Sequence, residues 1–121
     1  DRRGVVRARQ SRYWGSVKPF LDIAGASGTI FRFRFVPAPT HLPTGAGNFM
    51  FLRADLGREG PVCVGSALSL RDAASAWDVA VAQHQAHAIY VRLNVSREVR
   101  LREHHDIAER HAPSMVIDEL A

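Results

Sequence analysis

Hydrophobic and polar positions alternate through "TIFRFRFV", Thr29 to Val36. Phe31, Phe33 and Phe35 fall on one side and Ile30, Arg32 and Arg34 on the other, the period-two signature of a strand with one face buried. "NFMFLR", Asn48 to Arg53, and "PVCVG", Pro61 to Gly65, predict two further strands, and the intervening "ADLGREG" predicts a hairpin between them. "HAIYVRLN" alternates again, with Ile89, Val91 and Leu93 against Tyr90 and Arg92. Leu70, Ala73, Trp77, Ala80, Val81 and His84 recur at helical spacing behind Ser69, a residue type suited to capping, with Asp72 three positions on. Ser96 caps a second expected helix with Leu101, His105, Ala108 and Ala112 on its inner face, limited by Pro113. A short helix is expected over Val17 to Ala24, stopped by Gly25, and "SMVIDELA" is expected to lie extended across the sheet. The order strand, strand, strand, helix, strand, helix predicts an α/β (α+β) domain. Its sheet would be small, antiparallel or mixed, with three to four strands flanked by helices.

Composition adds where the charge lies. The chain has 121 residues, 46% of them apolar and 23% charged, which is enough for one domain with a real core. Its formal net charge is +4, but residues 1–18 alone carry +5 and residues 40–121 carry −2. Residues 1–28 therefore read as a basic N-terminal arm and docking segment, and 29–121 as the domain proper, with 29–36 as its first strand. Clustered cations bind phosphates by releasing counterions. Arg2, Arg3, Arg7, Arg9 and Arg12, with Arg32, Arg34 and Arg53, are accordingly the candidate nucleic-acid contacts. The plainer reading of the arm is a solubilising or partner-facing terminus, and of Arg32 and Arg34 a solvated edge. The single cysteine, Cys63, fits a reducing, cytoplasmic setting. The sequence holds no apolar run of membrane-spanning length and no signal peptide is expected.

"GNFMFLR", "PVCVGSALSL", "WDVAVAQHQAHAIYVRLN" and "REHHDIAERHAPSM", in that order over residues 47–117, resemble the GIY-YIG nuclease family, closest to its small bacterial single-domain members. The resemblance implies a three-stranded core with a groove for metal-dependent phosphodiester cleavage. The family's first tyrosine falls on Phe49, its second on Cys63 and its glycine on Gly65. The essential arginine falls on Ala73, the metal-binding glutamate on His104 and the terminal asparagine on Val116. Arg71 lies about 200° around the helix from Ala73, and Glu103 about 100° from His104, so neither is a direct substitute. Such chemistry needs a carboxylate for a hard cation, a proton relay and a cation on the developing charge. Those groups are replaced here, so no turnover is expected, and Mg²⁺ or Mn²⁺ would be cofactors only if cleavage persisted through unfamiliar residues. The resulting expectation is a catalytically degenerate, non-catalytic module that associates with DNA or RNA through the arm. The alternative is a protein-interaction or assembly domain, a homodimer included, docking through the arm or an exposed strand.

His84 and His87 form H-x-x-H at a helix-to-strand joint, and consecutive His104 and His105 diverge by about 100°. Cys63, His104 and a third histidine could converge in the family's groove as a metal site, since zinc wants three or four ligands. As a nucleophile Cys63 would need a lowered pKa, whereas within "VCV" it reads as a small buried hydrophobe. Gly65-Ser66 reads as a strand-to-helix turn that could cradle phosphate. Arg97, Arg100, Arg102 and Arg110, interleaved with Glu98, Glu103 and Glu109, read as an ion-paired helix surface.

Overall fold

The computed structural model describes residues 18–55 and 58–121. Six strands and two helices follow one another as β1 (Phe20–Ala24), β2 (Ile30–Val36), β3 (Gly47–Asp55), β4 (Arg58–Ala67), α1 (Ala73–His84), β5 (Ala88–Leu93), α2 (Arg97–His111) and β6 (Met115–Leu120). The strands form one mixed sheet in the order β1-β2-β5-β3-β4-β6, antiparallel throughout except for the parallel pair β4 and β6. The fold class is the expected one. The two strands beyond the expected count are β1 and β6, one at each edge.

Of the helix expected over Val17 to Ala24, Val17 lies outside the described residues and the rest is not helical, because "FLDIA" has a partner in β2. Phe20 faces Arg34 and Asp22 faces Arg32 across the ladder, while Ile23 is buried. Gly28 turns the chain at φ +89°, a conformation that costs glycine little. Asp106 of α2 holds this turn, accepting from the Ser27 backbone N–H at 2.9 Å and the Ser27 hydroxyl at 2.6 Å. The closing segment is extended as expected. It does not cross the sheet but extends it beside β4, with Val116 opposite Val64.

The helices cover opposite faces. Under α1, Phe49, Phe51, Cys63, Leu70, Ala73, Ala76, Ala80, Ile89 and Val91 form one apolar cluster, with Trp77 edge-on to Phe51 at 5.1 Å. Under α2, Ile23, Phe31, Phe33, Met50, Val64, Tyr90 and Ile107 form the other. Successive side chains of a strand point to opposite faces, which is why Phe49 and Met50 enter different clusters. Ser69 does not cap α1. It precedes a single 3-10 turn, Leu70–Asp72, and the α-helix begins at Ala73. Ser96 does cap α2, its side chain accepting from the Val99 N–H. The inner line of α2 is one residue off the expected one. Arg100, His104 and Ile107 are buried, while His105 is exposed.

Candidate functional site

Alternation along β3 and β4 sends Phe49 and Cys63 toward α1, whose first residue is Ala73, and all three are fully buried in one apolar cluster. Burial pushes the Cys63 thiol up to about 12, so it is a neutral hydrophobe with no nucleophilic character. Gly65 is not a turn. β4 runs through it to Ala67, and Phe49 lies opposite it in the ladder. A Cβ on Gly65 would come within 2.5 Å of the Phe49 ring and 2.9 Å of the Ile117 carbonyl oxygen. The glycine leaves room for that ring and for the adjoining strand, and Ser66 does not open a helix. His104 lies on α2, on the opposite face of the sheet from Cys63. The five positions therefore do not share a hollow, and the expected convergence of Cys63 with His104 is not formed. Val116 is exposed on β6.

No family model, curated protein or solved structure matches the chain. Its chemistry is accordingly read from its own geometry.

A polar layer lies between α2 and the sheet. Arg100 is only 2% exposed and donates from Nε to Glu119 Oε1 at 3.0 Å and from Nη2 to Glu119 Oε2 at 2.6 Å. Its Nη1 donates to the Val95 carbonyl at 2.8 Å. The expected ion-paired surface thus has one arginine inside, where a planar guanidinium is suited to a two-point carboxylate contact. Ser66 donates to the Asp118 carbonyl and to Glu119 Oε1. The Arg100 hydrogen bonds, the largest influence, hold the Glu119 carboxyl below its usual range. Buried Asn48 donates to the Arg100 carbonyl at 2.7 Å and accepts from Asn94, which also donates to Glu103 beside Arg92. The sequence carries one hint of this layer, an asparagine at the head of the otherwise apolar run "NFMFL".

His104, His105 and Asp118 meet at the edge of that layer, where β6 passes α2. His105 Nε2 donates to Asp118 Oδ1 at 2.8 Å, and His104 Nε2 lies 3.4 Å from the same oxygen. The two rings stand 4.3 Å apart. The 100° step between consecutive residues remains, but Asp118 sits in the angle it opens, so the expected divergence does not separate them. His104 is fully buried, and neither ring nitrogen has a hydrogen-bond partner among the described residues. An orphaned buried polar group of this kind costs about 1–3 kcal/mol. Desolvation, reinforced by His105, pushes the His104 imidazole down to about 4, so it is neutral near pH 7. The hydrogen bond from His105 is the main cause that holds the Asp118 carboxyl low.

The remaining sequence candidates are dispersed. Arg32 and Arg34 are exposed on β2, and Arg32 pairs with Asp22 at 2.9 Å. The Arg32 guanidinium also lies 5.4 Å from the centroid of the Phe20 ring. Arg53 is half-buried on β3, away from this pair. His84 ends α1, His87 lies in the α1–β5 link, and His111 donates to the Ala24 carbonyl at 2.8 Å. Arg2, Arg3, Arg7, Arg9 and Arg12 lie outside the described residues. No described helix is long and apolar enough to cross a membrane.

Proposed function

We propose that this domain is a non-catalytic module that associates with single-stranded nucleic acid through its outer strands and N-terminal arm. The observation that carries the reading is the open face of β1 and β2. Phe20 is 52% exposed, with Arg34 opposite it in the ladder and the Arg32 guanidinium over its ring. An aromatic flanked by arginines is a stacking platform for bases beside contacts for phosphate, and it tolerates any sequence. Asp22 neutralises part of this charge, and the net +5 of residues 1–18, which lead directly into β1, supplies more. Phe49, Cys63 and Ala73, the positions that the GIY-YIG resemblance singles out, are buried among apolar neighbours, which supports a reading without that family's chemistry.

The test is retention of a fluorescent single-stranded oligonucleotide across a salt series. Affinity should fall steeply with salt. Phe20→Ala should weaken it about five- to a hundredfold, the range of about 1–3 kcal/mol for one stacked base, and Arg34→Glu should flatten the salt dependence. Equal retention by both variants would overturn the reading, as would plasmid cleavage with Mg²⁺ or Mn²⁺ that His104→Ala abolishes. Assembly through β1 is a second reading, favoured by its open edge and by Ile30, exposed on the same face. It calls for a stable dimer by light scattering that Ile30→Lys dissociates.

A further inference from the structure

We propose that His104, His105 and Asp118 form a site for a first-row transition-metal dication, with Zn²⁺ as its probe. The site shares no residue with the nucleic-acid face and stands or falls apart from it. Each residue offers one ligand atom, and the three atoms lie within 4.8 Å of one another. Among the described residues this is the one grouping of three metal-ligating side chains so close.

The independent observation is His104. It is fully buried, its Nε2 is turned toward the Asp118 carboxylate, and no group among the described residues hydrogen-bonds either ring nitrogen. A cation between Nε2 and Oδ1 supplies a partner for one of the two orphaned ring nitrogens. Spacing agrees: two ligands at about 2.0–2.1 Å from a tetrahedral Zn²⁺ lie about 3.3 Å apart. His104 Nε2 and Asp118 Oδ1 are 3.4 Å apart. The 2.8 Å contact of His105 with Asp118 must open slightly as the metal replaces the shared proton, and both side chains are free to yield at 56% and 71% exposure.

The donor set selects the metal. Two imidazole nitrogens and one carboxylate suit Zn²⁺, Co²⁺ or Ni²⁺, whereas Mg²⁺ and Ca²⁺ take oxygen ligands. The supports are rigid: two ligands ride on one helix, and the third sits on a strand whose backbone at Asp118 is held by Ser66 and whose next residue is held by Arg100. The exposed side of His105 and Asp118 leaves a coordination position to solvent.

Isothermal titration of the metal-stripped full chain with Zn²⁺ tests this, with Co²⁺ absorption reporting coordination. His105→Ala and Asp118→Asn are the chosen variants because both side chains are exposed, so their circular dichroism should match that of the parent; His104→Ala removes a buried ring and could fail to fold. One equivalent of Zn²⁺ is expected, with a visible Co²⁺ band of low coordination number and no competition from equimolar Mg²⁺. Each variant should lose more than about tenfold in affinity, since even outer partners of a metal site cost that much. Uptake below one equivalent, equal competition by Mg²⁺, or unchanged affinity in both folded variants would overturn the proposal. So would loss of binding only when His84 and His87 are replaced.

Discussion

Arg100 and Glu119 form a two-point ion pair beneath α2, with Nε to Oε1 at 3.0 Å and Nη2 to Oε2 at 2.6 Å. It ties the helix to β6, a strand that pairs only with β4 in the sheet. Removing one member of a buried pair costs about 3–5 kcal/mol, whereas replacing both by apolar groups is often neutral; with Arg97 Nε still 3.3 Å from Glu119 Oε2, the cost here falls at the lower end, about 3 kcal/mol. Arg100→Met alone should therefore lower unfolding free energy by that amount in urea titration. Arg100→Met with Glu119→Leu should recover most of the loss. A double variant no better than the single one would mean that other Arg100 contacts, such as that to Val95, hold the helix.

Gly65 and Phe49 make a second close relationship with a measurable consequence. The site admits no Cβ, because the Phe49 ring and the Ile117 carbonyl fill the space. Overpacking of this kind costs about 1–3 kcal/mol. Gly65→Ala should lower the denaturation midpoint accordingly, and adding Phe49→Leu should restore part of it by removing the ring. No effect of Gly65→Ala on stability would argue that the glycine serves a ligand instead of packing.

The turn joining β1 to β2 depends on Asp106. Its carboxylate accepts from the backbone and hydroxyl of Ser27, and both residues are near the surface. Asp106→Ala should cost about 1 kcal/mol globally, in line with an ordinary intramolecular hydrogen bond. Locally it should raise amide exchange in the Gly25–Thr29 turn while leaving β3 and β5 protected, since outer elements open below the global free energy. Uniform acceleration across the sheet would show instead that this turn is coupled to the core.

β2 is legible because a strand buried on one face writes its own alternation, as Phe31, Phe33 and Phe35 do against exposed Ile30, Arg32 and Arg34. β1 is not, since "FLDIA" is short and its strand character comes from pairing with β2. The inner line of α2 was misplaced for a different reason. Hydropathy assigns Arg100 and His104 to solvent; Glu119 and the Val95 carbonyl make the burial of Arg100 tolerable, while His104 is buried without a hydrogen-bond partner among the described residues. His104 could be named as a weak ligand candidate from sequence. Asp118 could not, because its nearness depends on β6 lying parallel to β4 beside the helix. Cys63 and Phe49 enter the cluster under α1, and nothing in the sequence pattern signals that His104 falls across the sheet from them.

Cys63 supplies a pH-dependent prediction free of the polar layer. Its thiol is raised by burial from the usual 9.0 to about 12. Below pH 9 the thiol is neutral whether the chain is folded or unfolded, and the contribution to stability is fully present. Between pH 9 and 12 the unfolded chain ionises while the folded one resists, so stability is lost as pH rises. Linkage puts the loss at about 1.4 kcal/mol per pH unit, approaching about 4 kcal/mol across the window. Cys63→Ala should be less stable near neutrality, because it vacates space in the α1 cluster, and should lack this alkaline slope. Subtracting the two urea-derived curves isolates the thiol from Tyr90, which is also raised by desolvation. Parallel curves from pH 8 to 11, or rapid disulfide exchange of the native thiol at pH 8, would refute the burial assigned to Cys63 and with it the apolar character of the α1 face.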